Sequence, residues 1–288
     1  MTAYHLAARL NVNRNVIRLA ALAGLLGLIG VFSMTASAQS TTASQTATKP
    51  TIVLVHGAWD NSSGWNGVIE RLHAEGYQAI ALPNPLRSVT SDAAYIASTL
   101  AGIPGPIVLV GHSYGGAVIT NAAAGNANVK ALVYVAAMIP DVGENQFTLL
   151  GQFPGSQINP DTSFDVREYP LPDGTMGQDT YLKPEVVQQA FAQDLPASTV
   201  ALMAATQRPL AVATFFEPSA AAAWQTIPAY CVVATEDNTI GTANVRAMAQ
   251  RACPADNIVE VDASHVVMIS QPQAVTEVII QAAGVTAQ

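Results

Sequence analysis

From Pro50 onward, hydrophobic residues fall into two patterns that take turns along the chain. Runs that are apolar at nearly every position, TIVLV at 51–55, YQAIAL at 77–82, PIVLV at 106–110 and VKALVYV at 129–135, read as strands buried on both faces. Between them, Trp65, Val68, Ile69 and Leu72 recur at helical spacing. Further helices are expected over 91–100 and 114–124, the second rich in small residues. Such alternation predicts a mostly parallel, doubly wound sheet of the α/β class, covered by helices on both faces.

The rhythm stops between about residues 140 and 227, a stretch rich in Pro, Gly and polar residues in which 184–192 and 197–206 show helical patterns. It resumes with a strand at 229–235, a helix at 242–252, a strand at 257–261 and a closing helix at 272–283. The interruption is expected to be an inserted helical cap. Placed between strands of a doubly wound sheet, a cap roofs the carboxyl ends of the strands, where such folds bind ligands. The domain is therefore expected to span 50–288, with no internal repeat.

The first 38 residues differ in kind. Arg9, Arg14 and Arg18 precede an apolar run from Leu19 to Met34, and Ala36, Ser37 and Ala38 follow. Basic, apolar and small residues in that order predict a secretory signal peptide over 1–38. The run is shorter than the about 20 residues that span a bilayer and is broken by glycines, which favours cleavage over anchoring. Residues 39–49 (QSTTASQTATK) read as a flexible leader. The chain carries a formal charge of −8; without the three arginines of the expected signal peptide, nine Lys and Arg face 20 Asp and Glu, a charge of −11. That sign disfavours nucleic acid and anionic membranes as partners. The expected location is periplasmic or secreted, with no stable membrane association.

Within VGHSYGGAV (110–118), Gly111, Ser113 and Gly115 match G-x-S-x-G, with an apolar strand directly before and a helix directly after. A strand that turns at once into a helix strains the serine's backbone and leaves no room for flanking side chains. A serine hydroxyl is a poor nucleophile until a base takes its proton. Of the five histidines, His5 lies in the signal, His73 lies within a helix, and His112 should point away from its neighbour Ser113. His56, in HGAW, reads as a brace for its loop. His265, in VDASHVV after the last strand, sits at the same edge of the sheet as Ser113 and is the candidate base. VVATEDN supplies a carboxylate to orient it, Asp237 before Glu236, while Asp141 is an alternative from another edge and Asp262 is too close to turn back. Backbone N–H groups of Ala58 and Tyr114 are expected to bind an oxyanion, with Gly57 allowing close approach. Trp59 and Tyr114 are candidate pocket residues.

HGAW, GHSYGG, TEDN and SHVVMISQP, in this order and spacing, resemble the α/β-hydrolase superfamily. Within it they are similar to the compact branch of bacterial esterases, plant methyl-ester esterases and hydroxynitrile lyases. The resemblance runs from about Pro50 to the C-terminus, the cap excepted. It implies an α/β-hydrolase fold, Ser113 as nucleophile, His265 as base, Asp237 as the acid, and neither metal nor cofactor. The lyases of that branch carry a threonine in the HGA loop and a lysine directly after the histidine; Gly57 and Val266 stand there in this chain, which favours ester hydrolysis. The expected activity is that of a serine carboxylesterase cleaving small to medium apolar esters through an acyl-enzyme. A ligand-binding protein with vestigial turnover, a lyase and a perhydrolase are the competing classes.

Cap residues such as Phe147, Leu149, Leu150, Phe153, Phe191, Phe215 and Phe216 either line an apolar pocket or form the cap's own core. In the implied topology Cys231 and Cys253 lie at the amino edge of the sheet, away from the site. They either pair as a structural disulfide, which export permits, or remain two buried thiols.

Overall fold

The structure, a computed structural model, describes residues 48–284. The expected signal peptide and nearly all of the leader lie outside the described residues.

The chain first forms β1 (Thr51–Val55), α1 (Asn66–Ala74), β2 (Ala79–Leu82), α2 (Val89–Leu100), β3 (Ile107–His112), α3 (Tyr114–Ala122) and β4 (Val129–Val135). It then makes α4 (Gln146–Leu150), β5 (Phe164–Pro170), β6 (Met176–Leu182), α5 (Pro184–Val186) with a π-helical turn (Val187–Phe191), α6 (Ala197–Thr206) and β7 (Leu210–Ala211). The last part holds β8 (Ala229–Ala234), α7 (Thr242–Ala252), β9 (Ile258–Val261), α8 (Val267–Ser270) and α9 (Pro272–Gly284).

Six strands form one parallel sheet in the order β2-β1-β3-β4-β8-β9. Every residue of β1, β3 and β8 is buried, because helices cover the sheet on both faces. This is why those strands read as continuous apolar runs rather than as alternating ones. α1 packs beside α9, and α2 beside α3. The carboxyl ends of β1, β3, β8 and β9 run into the loops that hold His56, Ser113, Asp237 and His265.

The segment between β4 and β8 is mixed rather than helical. It carries helices where helical spacing places them, and in addition a three-stranded antiparallel sheet, β5-β6-β7. β5 (FDVREYP) is exposed along most of its length, and Asp165, Arg167 and Glu168 break its apolar residues, so it gives no continuous apolar run. The local signal for this hairpin is Asp173-Gly174. Gly174 takes a φ of 86°, Asp173 Oδ1 accepts from the Thr175 N–H at 3.0 Å, and the Leu171 N–H donates to the Thr175 carbonyl at 2.8 Å.

Cys231, in β8, and Cys253, at the end of α7, are joined by a disulfide, so the paired reading of the two cysteines holds. Among the described residues no helix is long and apolar enough to cross a membrane.

Candidate active site

Ser113 stands between the last residue of β3 and the first of α3, with φ 53° and ψ −126°, a backbone state that L residues adopt only under constraint. The constraint is visible as hydrogen bonds. The Ser113 N–H donates to the Val135 carbonyl at 3.2 Å, and its carbonyl accepts from Gly116 and Met138 N–H at 2.9 and 3.1 Å. A Cβ on Gly115 would lie 2.6 Å from the Val55 carbonyl oxygen, and one on Gly111 2.6 Å from that of Gly115. The flanking glycines therefore let α3 dock against β1 directly behind the serine.

His265 and Asp237 arrive from the loops after β9 and β8. His265 Nδ1 lies 2.7 Å from Asp237 Oδ2, both side chains fully buried. Asp237 Oδ1 accepts from the Thr239 and Ile240 N–H groups, each at 2.9 Å, which fixes the carboxylate's orientation. A carboxylate can only accept, so Nδ1 carries the proton, and Nε2 presents a lone pair. Nε2 is buried and makes no hydrogen bond to a protein group. The other acids lie elsewhere: Glu236 and Asp262 are exposed, and Asp141 bonds the Val142 N–H and Gln225.

Both remaining histidines near the site are structural. His56 Nε2 accepts from the Asn84 N–H at 2.9 Å, so its proton is on Nδ1, which donates to the Gly57 carbonyl at 2.9 Å. Burial pushes its pKa down to about 4. His112 turns away from Ser113, and its Nε2 donates to the backbone carbonyl of His265 at 3.0 Å. Its ring packs against the His265 ring with centroids 4.8 Å apart, and burial holds it neutral, its pKa well below the ordinary histidine value. Sequence reading placed His112 outside the reacting set and missed that it braces His265, since the partner lies 153 residues away.

Ala58, Trp59, Ser113 and Tyr114 line one small cavity of about 30 Å³, together with residues of the Asp237 loop, Thr239 and Ile240. As the first residue of α3, Tyr114 has a backbone N–H with no partner inside the helix, and it adjoins the serine. The Tyr114 hydroxyl does not enter the cavity chemistry: it donates to Asp92 Oδ2 at 2.8 Å. Trp59, at φ 56°, stacks on Phe164 with centroids 5.4 Å apart, and its Nε1 donates to the carbonyl and hydroxyl oxygens of Thr180 in β6.

Leu150, Ile158 and Phe215 also line a second, larger cavity of about 590 Å³, walled further by Phe147, Phe153 and Phe216. The two readings of the cap's apolar residues divide accordingly: Phe191 and Leu149 are buried core, whereas the others face the groove. The cap also touches the loops of His265 and Asp237. Asp194 accepts from the Ser264 N–H at 2.9 Å, Thr239 donates to the Ala190 carbonyl at 2.8 Å, and the Phe191 ring lies 5.3 Å from that of His265.

A parallel sheet with a strained serine after its third strand, and a paired carboxylate and imidazole after its last two, defines the α/β-hydrolase class. The chain belongs to the alpha/beta hydrolase family, whose family model matches residues 52–278. It is 27% identical over 255 residues to the alpha/beta hydrolase nvfD of Aspergillus novofumigatus, covering 82% of this chain and 97% of that protein. A carbendazim hydrolyzing esterase of Nocardioides sp. is 32% identical over 120 residues, 34% of this chain and 46% of that one. Among solved structures, polyneuridine aldehyde esterase superposes with a TM-score of 0.70 at 19% identity, covering 81% of this chain and 99% of the other. A pyrethroid hydrolase from Sphingobium faniae gives 0.62 at 24% identity, covering 82% and 98%. At these identities the superpositions speak for the fold.

Proposed function

We propose that this hydrolase is an exported serine carboxylesterase acting on apolar esters. The observation that carries the reading is the 2.7 Å bond from His265 Nδ1 to Asp237, which leaves a bare imidazole nitrogen at the sheet edge where the strained Ser113 stands. Ser113 Oγ attacks the ester carbonyl while His265 Nε2 takes its proton and passes it to the leaving alcohol. A water activated by the same nitrogen then attacks the acyl-enzyme and releases the acid. The N–H groups of Ala58 and Tyr114 receive the oxyanion.

The groove of about 590 Å³ that adjoins the Ser113 cavity supports an apolar part of the ester as its occupant. A Cβ at position 57 would lie 2.5 Å from the Ser113 Cβ and 2.9 Å from the His112 carbonyl oxygen. No side chain fits where the related lyases carry threonine, and this supports hydrolysis over cyanohydrin cleavage. Export rests on the arrangement of residues 1–38 and agrees with the Cys231–Cys253 disulfide. A mature chain starting at Gln39, read by mass spectrometry of secreted or periplasmic protein, checks that part.

The deciding experiment is labelling with a serine-reactive fluorophosphonate alongside a chromogenic ester panel of graded acyl length. Wild type is expected to label and to hydrolyse the panel, and Ser113→Ala to do neither. Labelling that survives in Ser113→Ala removes the nucleophile assignment. Slow single turnover with a retained product would instead favour a ligand-binding protein.

A further inference from the structure

Asp60 follows Trp59 in the loop after β1 and is fully buried, its Oδ2 making no hydrogen bond to a protein group. Other groups around His265 share this state. Trp65 Nε1, His112 Nδ1 and His265 Nε2 are likewise buried without a protein partner. Trp65 meets the His112 ring edge-on at 6.4 Å between centroids, and His112 lies 4.8 Å from His265. The Ser62–Trp65 turn, which follows Asp60, packs on α8, the helix that follows His265. Asp60 and Ile269 of α8 line one further cavity, so Asp60 approaches the His265 segment from the β1 loop, while Asp237 holds His265 from the β8 loop.

We infer that Asp60 is a second carboxylate of the site, a positioning residue that stabilises the imidazolium form of His265 through the electrostatic field. This rests on the esterase reading given above. An unpaired carboxyl in a buried position opposes folding, and a neutral side chain of the same shape would avoid that opposition. Its charge is useful at the moment His265 accepts the Ser113 proton, when a positive charge appears in a site of low dielectric. Burial pushes the Asp60 pKa up to about 7, against the pull of the Asn61 backbone N–H and of the His265 imidazole. The carboxyl thus changes charge in the range where a histidine base works. Of the other groups near the pair, His56 and His112 are held neutral by burial; Asp237 bonds His265, Thr239 and Ile240, and Asp194 accepts from the Ser264 N–H.

The test compares wild type with Asp60→Asn, each shown to be folded by thermal unfolding, in two measurements. In the first, kcat on a chromogenic ester is read at pH 6 and pH 8. Asp60→Asn is expected to lose about tenfold at pH 8, where the wild-type carboxyl is ionised, and less than about twofold at pH 6, where it is protonated. An equal loss at both pH values, or none, overturns the inference, because a purely structural contact has no reason to follow the ionisation. In the second, the His265 ring is titrated by NMR, with His265→Gln to assign its signal. Loss of the neighbouring anion is expected to move that titration to lower pH, and an unmoved titration overturns the inference. If wild type hydrolyses no ester, the esterase reading fails, and the titration, which needs no turnover, still decides the role of Asp60.

Discussion

Asp237 faces three donors: the His265 imidazole through one oxygen, and the Thr239 and Ile240 N–H groups through the other. Replacing it by Asn keeps the shape and puts an amide where an acceptor is needed, so the imidazole loses the tautomer that leaves Nε2 bare. Asp237→Asn is expected to lower kcat by about 10⁴-fold with KM little changed, measured by steady-state hydrolysis of a chromogenic ester. Gly57 is equally unforgiving for a steric reason. Gly57→Ala forces its Cβ against the Ser113 Cβ, and kcat/KM is expected to fall by about 10²-fold or more as the loop after β1 shifts. Ser113, His265 and Asp237 were legible in the sequence because the chemistry demands one residue type at each of three strand ends. The parts played by His112 and Asp60 were not, since each depends on a neighbour that is remote along the chain, and neither residue type announces it.

At the scale of elements, the cap and the sheet are tied at specific points. Trp59 reaches from the loop after β1 to Thr180 in β6, and Arg87, just before α2, pairs with Asp179 at 2.7 Å and donates to the Pro209 carbonyl at 2.8 Å. Trp59→Phe keeps the ring and removes the indole donor; a loss of about 1 kcal/mol in urea unfolding is expected, with reduced kcat/KM. On the opposite edge of the sheet, the disulfide closes a loop with a sequence separation of 22 between β8 and α7. Cys253→Ser is expected to lower stability by about 3 kcal/mol without changing kcat, and a reductant should do the same to wild type. The strands of the main sheet were legible because burial on both faces leaves an uninterrupted apolar run. The cap's hairpin was hidden because its first strand faces solvent, where burial demands no continuous apolar run.

For the whole molecule, two buried groups set opposed pH dependences of stability. His56 takes its proton near pH 6.5 when unfolded but only near 4 when folded, so the unfolded chain binds more protons between these values. Stability is therefore lost as pH falls through that window, by about 3 kcal/mol from this residue, and buried His112 acts in the same direction. Asp60 does the reverse. Its pKa is raised from 3.8 to about 7, so the folded chain keeps a proton that the unfolded chain has released, and stability falls as pH rises through that range. Asp60→Asn is expected to raise Tm at pH 8 and to steepen the rise of Tm between pH 4 and 6.5, measured by calorimetry. A variant more stable yet slower at pH 8 would show stability given up for function.

The sequence by itself determined the parallel sheet, the place of Ser113 after its third strand and the order in which Asp237 and His265 follow it. These depend on local matters: apolar runs that strands need for burial, glycines that a strand-to-helix turn needs for space, and side chains with the chemistry of acyl transfer. Only the tertiary structure decided that Cys231 and Cys253 pair, that the cap contains a sheet, and that His112 braces His265. Each of these is a contact between segments distant along the chain, set by how helices and cap pack over the sheet, and no local pattern encodes such a meeting.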